Sequence, residues 1–162
     1  MHMSGTSSAN SRRPRSPRLS LVVQRAVATA GLPSPRKLRK WALAALAEDV
    51  RVTVRLVGEA EARALNFAYR GRDHATNVLT FPYADIIPLS GDIVICVPVL
   101  RREARAQGKT VEAHLAHLLV HGMLHLQGFD HERARDAELM EGIEAEIVTK
   151  LGYADPYTNG KR

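Results

Sequence analysis

"VLTFPYADIIPLSGDIVICVPV" (residues 78–99) holds two apolar runs, 78–85 and 91–99, joined by only five residues. Runs rich in valine, isoleucine, threonine and aromatics read as strands. The second is β-branched enough to be internal to a sheet. Pro82 and Pro98 are expected at strand ends or edges, because proline donates nothing to a ladder. So short a link argues for a mixed sheet rather than a uniform doubly wound one. Upstream, "RVTVRLV" (51–57) alternates, with Val52, Val54 and Leu56 on one face and Arg51, Thr53 and Arg55 on the other, the pattern of a half-buried strand. "LSLVVQRAV" (19–27) has strand composition as well.

Between these runs the period changes. Leu38, Trp41, Ala42, Ala45 and Leu46 fall at helical spacing over 36–48, after the punctuation "GLPSP" (31–35). Residues 59–70 are helical in composition, with acids in the first turn, where the helix dipole favours them. A polar loop, "GRDHATN" (71–77), follows. A short basic helix is predicted over 99–108, ending at Gly108. A long helix is predicted over 110–128, with Thr110 as N-cap and Gly128 as its stop. The last helix spans 132–152, with an apolar stripe through Leu139, Ile143 and Ile147. There is no internal repeat. Strands and helices are interspersed, so the class is α+β.

The chain has 162 residues, 45% hydrophobic and 25% charged, the balance of a single domain with a core. Two domains would each be too small to bury enough surface. Cys96 is the only cysteine, so no internal disulfide forms, and a reducing cytoplasm suits that count. No apolar run approaches the roughly 20 residues of a membrane helix, and the N-terminus lacks the apolar core of a secretory signal. The formal charge is +6. Residues 1–18 hold four arginines and no acid; without them 19 basic residues face 17 acidic ones, a net of +2. The basicity is therefore largely that of a Ser/Arg/Pro tail expected to be disordered, a solubilising or vector-derived arm rather than an argument for nucleic acid. A single domain is expected over 19–157, with a short tail at 158–162.

Chemistry concentrates in "HGMLHLQGFDH" (121–131). His121 and His125 lie one turn apart on one helix face, and His131 follows the turn at Gly128. Three neutral imidazoles with an open fourth position are the donor set of a catalytic zinc, one per chain, which acidifies a bound water towards neutrality. Nickel and copper also accept imidazole. Asp130 is a candidate to orient a ligand or act as base, and a turn-capping carboxylate is the alternative. His117 and His114 lie on a similar face, either supporting the ligands or facing substrate, or forming a plain polar stripe. The glutamate that serves a zinc protease as base is replaced by Gly122, which disfavours peptide hydrolysis. Met140 falls inside the last predicted helix and reads as packing. A second cluster, "YRGRDHATNVLTFP" (69–82), places Arg70 and Arg72 beside a loop with Thr76 and Asn77. Arginine's planar fork matches phosphate oxygens, so this loop beside a metal directs attention to phosphodiesters.

"HGMLHLQGFDH" resembles the H-G-x-L-H-L-x-G-x-D-H motif of the YbeY endoribonucleases, the bacterial ribosomal-RNA maturation factors. "LNFAYRGRDHATNVLTFPY", "GDIVIC", "EAHLAH" and "LGYADPY" resemble family segments in the same order, from about residue 50 to 157. His74-Ala75 stands where a charged residue and proline are frequent, and Phe129 where tyrosine is common. The resemblance implies a mixed, about four-stranded sheet with about five or six helices and the metal in a cleft beside them. It implies a metal-dependent, single-strand-specific endoribonuclease of rRNA processing, especially at the small-subunit RNA 3′ end, and of ribosome quality control, in the cytoplasm. It implies zinc on His121, His125 and His131, and an Arg70 that contacts RNA or aids catalysis. RNA and the small ribosomal subunit or its assembly factors are then the expected partners, with Arg72, Thr76, Asn77 and His117 as further candidate RNA contacts. Basic residues Arg36, Lys37, Arg39 and Lys40 would extend the track. The base is open between Asp130 and the RNA's own 2′-hydroxyl. Two rivals stand beside this reading. One is a metalloprotease-like hydrolase, which Gly122 disfavours. The other is a non-catalytic ribosome assembly factor with a structural metal, which would unfold without metal and never cut RNA.

Overall fold

The computed structural model of the chain describes residues 15–129 and 134–158. Among them are four strands and five helices: β1 (Leu19–Arg25), α1 (Pro35–Ala44), β2 (Val50–Val57), α2 (Glu59–Arg70), β3 (Val78–Tyr83), β4 (Leu89–Cys96), α3 (Val97–Ala106), α4 (Val111–Leu126) and α5 (Ala134–Lys150). The sheet order is β1-β2-β4-β3. β1 and β4 both run parallel to β2, and β3 runs antiparallel to β4, so the sheet is mixed as expected. β4 is internal and Pro82 lies on edge strand β3, opposite Gly91, where a missing N–H does least harm.

The two sheet faces carry separate apolar clusters. Val52, Val54, Leu56, Ile93 and Ile95 share the larger one with residues of α1, α4 and α5. Val57, Val94, Cys96 and Leu79 meet Ala62 of α2 in the smaller. The alternation of β2 is real: Val52, Val54 and Leu56 are buried and Arg51 is exposed.

α4 is the centre of the molecule, touching α1, α3, α5, β3 and β4. It is apolar nearly all round, the composition of a helix enclosed by its neighbours. Thr110 caps it, the hydroxyl accepting from the Ala113 N–H at 3.0 Å, and Gly128 leaves it with φ +104°. Two glycines let it approach β4 closely. A Cβ on Gly122 would lie 2.9 Å from Ile93 Cγ2, and one on Gly91 would lie 2.4 Å from Leu126 Cδ1.

Two boundaries and one buried face depart from the sequence reading for identifiable physical reasons. α1 stops at Ala44 rather than 48 because the Gln127 amide, at the end of α4, takes the following backbone: it donates to Ala45 O at 2.7 Å and accepts from Ala47 N at 2.7 Å. β4 stops at Cys96 rather than 99, since Pro98 sits in the first turn of α3, where no N–H is required. In α5 the buried row is Met140, Glu144 and Val148, while Leu139, expected on the inward stripe, is 60% exposed. Met140 is a packing residue. At the N-terminal side, Arg15 pairs with Asp49 at 2.7 Å and the Arg18 N–H donates to the same carboxylate at 2.9 Å. No helix among the described residues is long and apolar enough to cross a membrane.

Candidate active site

A cleft of about 580 Å³ opens along edge strand β3. Three elements line it: the end of α2 with Tyr69 and Arg70, residues 76–81 of the loop and β3, and His121 and His125 of α4. α2 ends because Gly71 adopts a left-handed φ of +70°, a conformation that favours glycine. That turn leaves Arg70 exposed at the rim. No acidic side chain among the described residues pairs with it, so its guanidinium is available to an anion.

The loop between α2 and β3 is fastened at both ends. Arg63 forks onto Asp73 at 2.7 and 3.0 Å. The buried Asn66 amide donates to His74 O at 2.8 Å. Asn77 Nδ2 donates to Glu103 at 2.9 Å, and Glu103 also receives His114 Nε2 at 2.8 Å. Burial holds the His114 imidazole below its usual pKa, against the pull of Glu103. Replacing Asn66 with alanine strands the His74 carbonyl and leaves a void. We expect it to lower stability by about 1–3 kcal/mol. Urea denaturation checks this, and an unchanged midpoint would show that the bond holds nothing.

His121 is set by a residue that no local motif announces. Its Nδ1 lies 2.7 Å from Oε2 of Glu144, a fully buried carboxylate on α5. The other oxygen receives His117 Nε2 at 2.8 Å and the Tyr157 hydroxyl. Burial alone pushes the Glu144 carboxyl up, but the bonds from His117 and His121 outweigh it and hold it at about 2. Burial and that carboxylate together raise the Tyr157 phenol. An ionised carboxylate only accepts, so His121 Nδ1 carries the hydrogen and Nε2 is the ring atom turned away from Glu144. That is the support expected behind a metal-ligating histidine. The His121 and His125 rings are 6.5 Å apart between centroids, and both line the cleft. The donor chemistry of the pair is such that His121 and His125 could hold a metal ion between them.

The structure thus brings together His121, His125, Arg70, Thr76 and Asn77. His131 and Asp130 lie outside the described residues. Arg72 is exposed and does not line this cleft, and His117 lines a neighbouring one with Glu103, His114 and Tyr157. On α1, Lys37 pairs with Glu112 at 3.0 Å and Arg39 donates to Leu19 O at 3.1 Å, so two of its four basic residues serve internal contacts. Gly122 turns towards Ile93 of the sheet, so a glutamate there has no room to serve the cleft. The sequence reading missed Glu144, Tyr157, Asn66 and Gln127. The available signal for Glu144 was an acid in an otherwise apolar row, Met140-Glu144-Val148.

The family model described as Endoribonuclease YbeY matches residues 35–152. A protein of Aromatoleum aromaticum named Endoribonuclease YbeY is 59% identical over 145 residues, covering 88% of this chain and 94% of that relative. One of Methylobacillus flagellatus with the same name is 53% identical, covering 90% of this chain and 98% of the relative. Among solved structures, the solution structure of a Thermotoga maritima protein superposes with a TM-score of 0.51 at 28% identity, over 83% of this chain and 91% of that one.

Proposed function

This chain belongs to the YbeY endoribonuclease family, and from that membership we propose that it cuts single-stranded RNA at a metal ion held by His121, His125 and His131, in the maturation of ribosomal RNA. The observation that carries the reading is the convergence on one cleft of His121, His125 and an exposed Arg70 that pairs with no acid among the described residues. The membership makes the activity an endonucleolytic cleavage of RNA. The metal, its third ligand and the ribosomal setting are the finer part of the proposal. Zinc is the metal of choice for an all-imidazole set, and when bound it supplies Lewis-acid chemistry at the phosphate.

The chain's own residues do the rest. Glu144 fixes the ring and tautomer of His121. Arg70 neutralises charge that builds on the phosphate oxygens during cleavage. The fastened loop presents Thr76 and Asn77 beside the strand's backbone. Asp130 is the chain's candidate base, and the RNA's own 2′-hydroxyl would enter as nucleophile in place of water. Small-subunit rRNA, near its 3′ end, is the proposed substrate, and the small subunit or its assembly factors the proposed setting, in the cytoplasm.

Cleavage of single-stranded rRNA fragments tests this. Arg70→Glu is expected to slow cleavage about 10²–10³-fold, the range for loss of one preorganised charge-stabilising group. Chelation is expected to stop cleavage and zinc to restore it. Equal rates for wild type, Arg70→Glu and chelated protein would sink the assignment and leave any activity to a contaminant.

A further inference from the structure

Tyr69 is the most exposed aromatic in the chain's described part, at 69%, and it stands in the cleft rather than on a distant surface. Its ring is not loose. Phe81 of β3 meets it edge-on, with centroids 5.1 Å apart and planes at 63°. Phe81 is itself anchored on the smaller core cluster. The Tyr69 ring is therefore braced by the sheet on one side while most of its surface meets solvent. Its neighbour in sequence is Arg70, and His121 and His125 line the same cleft.

A braced, solvent-facing ring next to an exposed guanidinium matches one ligand well: a nucleotide with an unpaired base. The base stacks on the ring while the adjoining phosphate meets the arginine. A peptide or lipid would gain from the apolar ring, but neither explains a cation and a metal-binding pair beside it. A base inside a duplex already has both faces covered, so only a single strand supplies one. We propose that the Tyr69 ring, braced by Phe81, is a stacking subsite for one unpaired nucleobase next to the scissile phosphate, and that it contributes to single-strand preference. This subsite rests on the ribonuclease reading above. Bracing matters to its strength, because a ring already held in place loses little freedom when the base arrives.

The chain offers a clean optical test. Trp41 is its only tryptophan and is 1% exposed. A Tyr69→Trp variant adds one solvent-facing reporter. The full-length, metal-loaded protein is mixed rapidly with a short unpaired RNA, or with an abasic ribose-phosphate strand of equal length, and fluorescence is read before cleavage proceeds. We expect the RNA to quench the new tryptophan and the abasic strand to leave it bright. Wild type should bind the RNA about tenfold more tightly than the abasic strand, within the range of one stacked base. Tyr69→Ala should lose that preference and bind both alike, with an unchanged melting temperature because the ring is exposed. Tyr69→Phe should keep it. If Tyr69→Ala still favours RNA, or if bound RNA leaves the tryptophan bright, the subsite is wrong while the ribonuclease reading stands. If wild type binds neither strand, both fall.

Discussion

Gly122→Glu is expected to unfold the protein rather than turn it into a protease. The substitution restores the residue a zinc protease uses as base, and on the sequence alone it is a natural experiment. Position 122 faces Ile93 of β4, and even a Cβ there would lie 2.9 Å from Cγ2 and 3.1 Å from Cδ1 of that fully buried side chain. Neither helix nor strand yields easily, since both are enclosed. A glutamate adds four further heavy atoms beyond Cβ and places its carboxyl in an apolar interior without a partner. Overpacking and an unpaired buried polar group together cost about 4 kcal/mol or more. A domain of this kind has only about 5–15 kcal/mol in total. Gly142→Ala is the matched control. It lies in α5, and nothing stands within 4 Å of its Cβ position. Alanine there removes glycine's helix penalty and should stabilise by up to about 1 kcal/mol. Opposite shifts in the urea midpoint are expected for the two glycines. A folded Gly122→Glu protein with the wild-type midpoint would overturn the packing argument.

The same contact explains how much of the molecule was legible in the sequence. β2 and α2 could be read because their determinants are local: alternation at Val52, Val54 and Leu56, and acids at Glu59 and Glu61 before a glycine stop at Gly71. The His121–His125 pair was legible for the same reason, since four residues are one helical turn. What escaped was set across the chain. α1 stops where an amide 82 residues away takes Ala45 O. The carboxylate that orients His121 comes from a helix 23 residues on. Glu144 reads as a surface acid until the fold buries it, because sequence periodicity assigns charged residues to the outside. Gly122 was legible as a missing base but not as a point of helix–sheet approach. The proposed metal and base depend partly on 130 and 131, outside the described residues.

Glu144 separates fold from metal in the second large prediction. It is 0% exposed and accepts from His117, His121 and Tyr157. Glu144→Ala strands all three donors and opens a cavity, so we expect a loss of at least about 3 kcal/mol in stability. Metal affinity should fall with it, but that variant alone would not distinguish a positioning role from a structural one. Glu144→Gln does. The amide keeps the volume. Its carbonyl accepts from His121 Nδ1, and its NH2 turns to His117 and Tyr157, both of which can accept in the alternative hydrogen arrangement. The fold should survive with a melting temperature close to wild type. His121 then rests on a neutral carbonyl instead of a carboxylate and becomes a weaker donor through Nε2. Metal affinity should drop about 10–100-fold, the range for losing a ligand's supporting group. His125→Ala completes the comparison. His125 lines the cleft, so the fold should hold while metal binding and RNA cleavage both fall to background. The readouts are metal content after competition with a chelator, the melting temperature, and cleavage at saturating zinc. Saturating zinc should rescue Glu144→Gln and not His125→Ala, because one variant weakens the site and the other removes a ligand. Wild-type metal affinity in Glu144→Gln would reduce Glu144 to a packing residue, and wild-type cleavage in His125→Ala would remove the metal from the reaction.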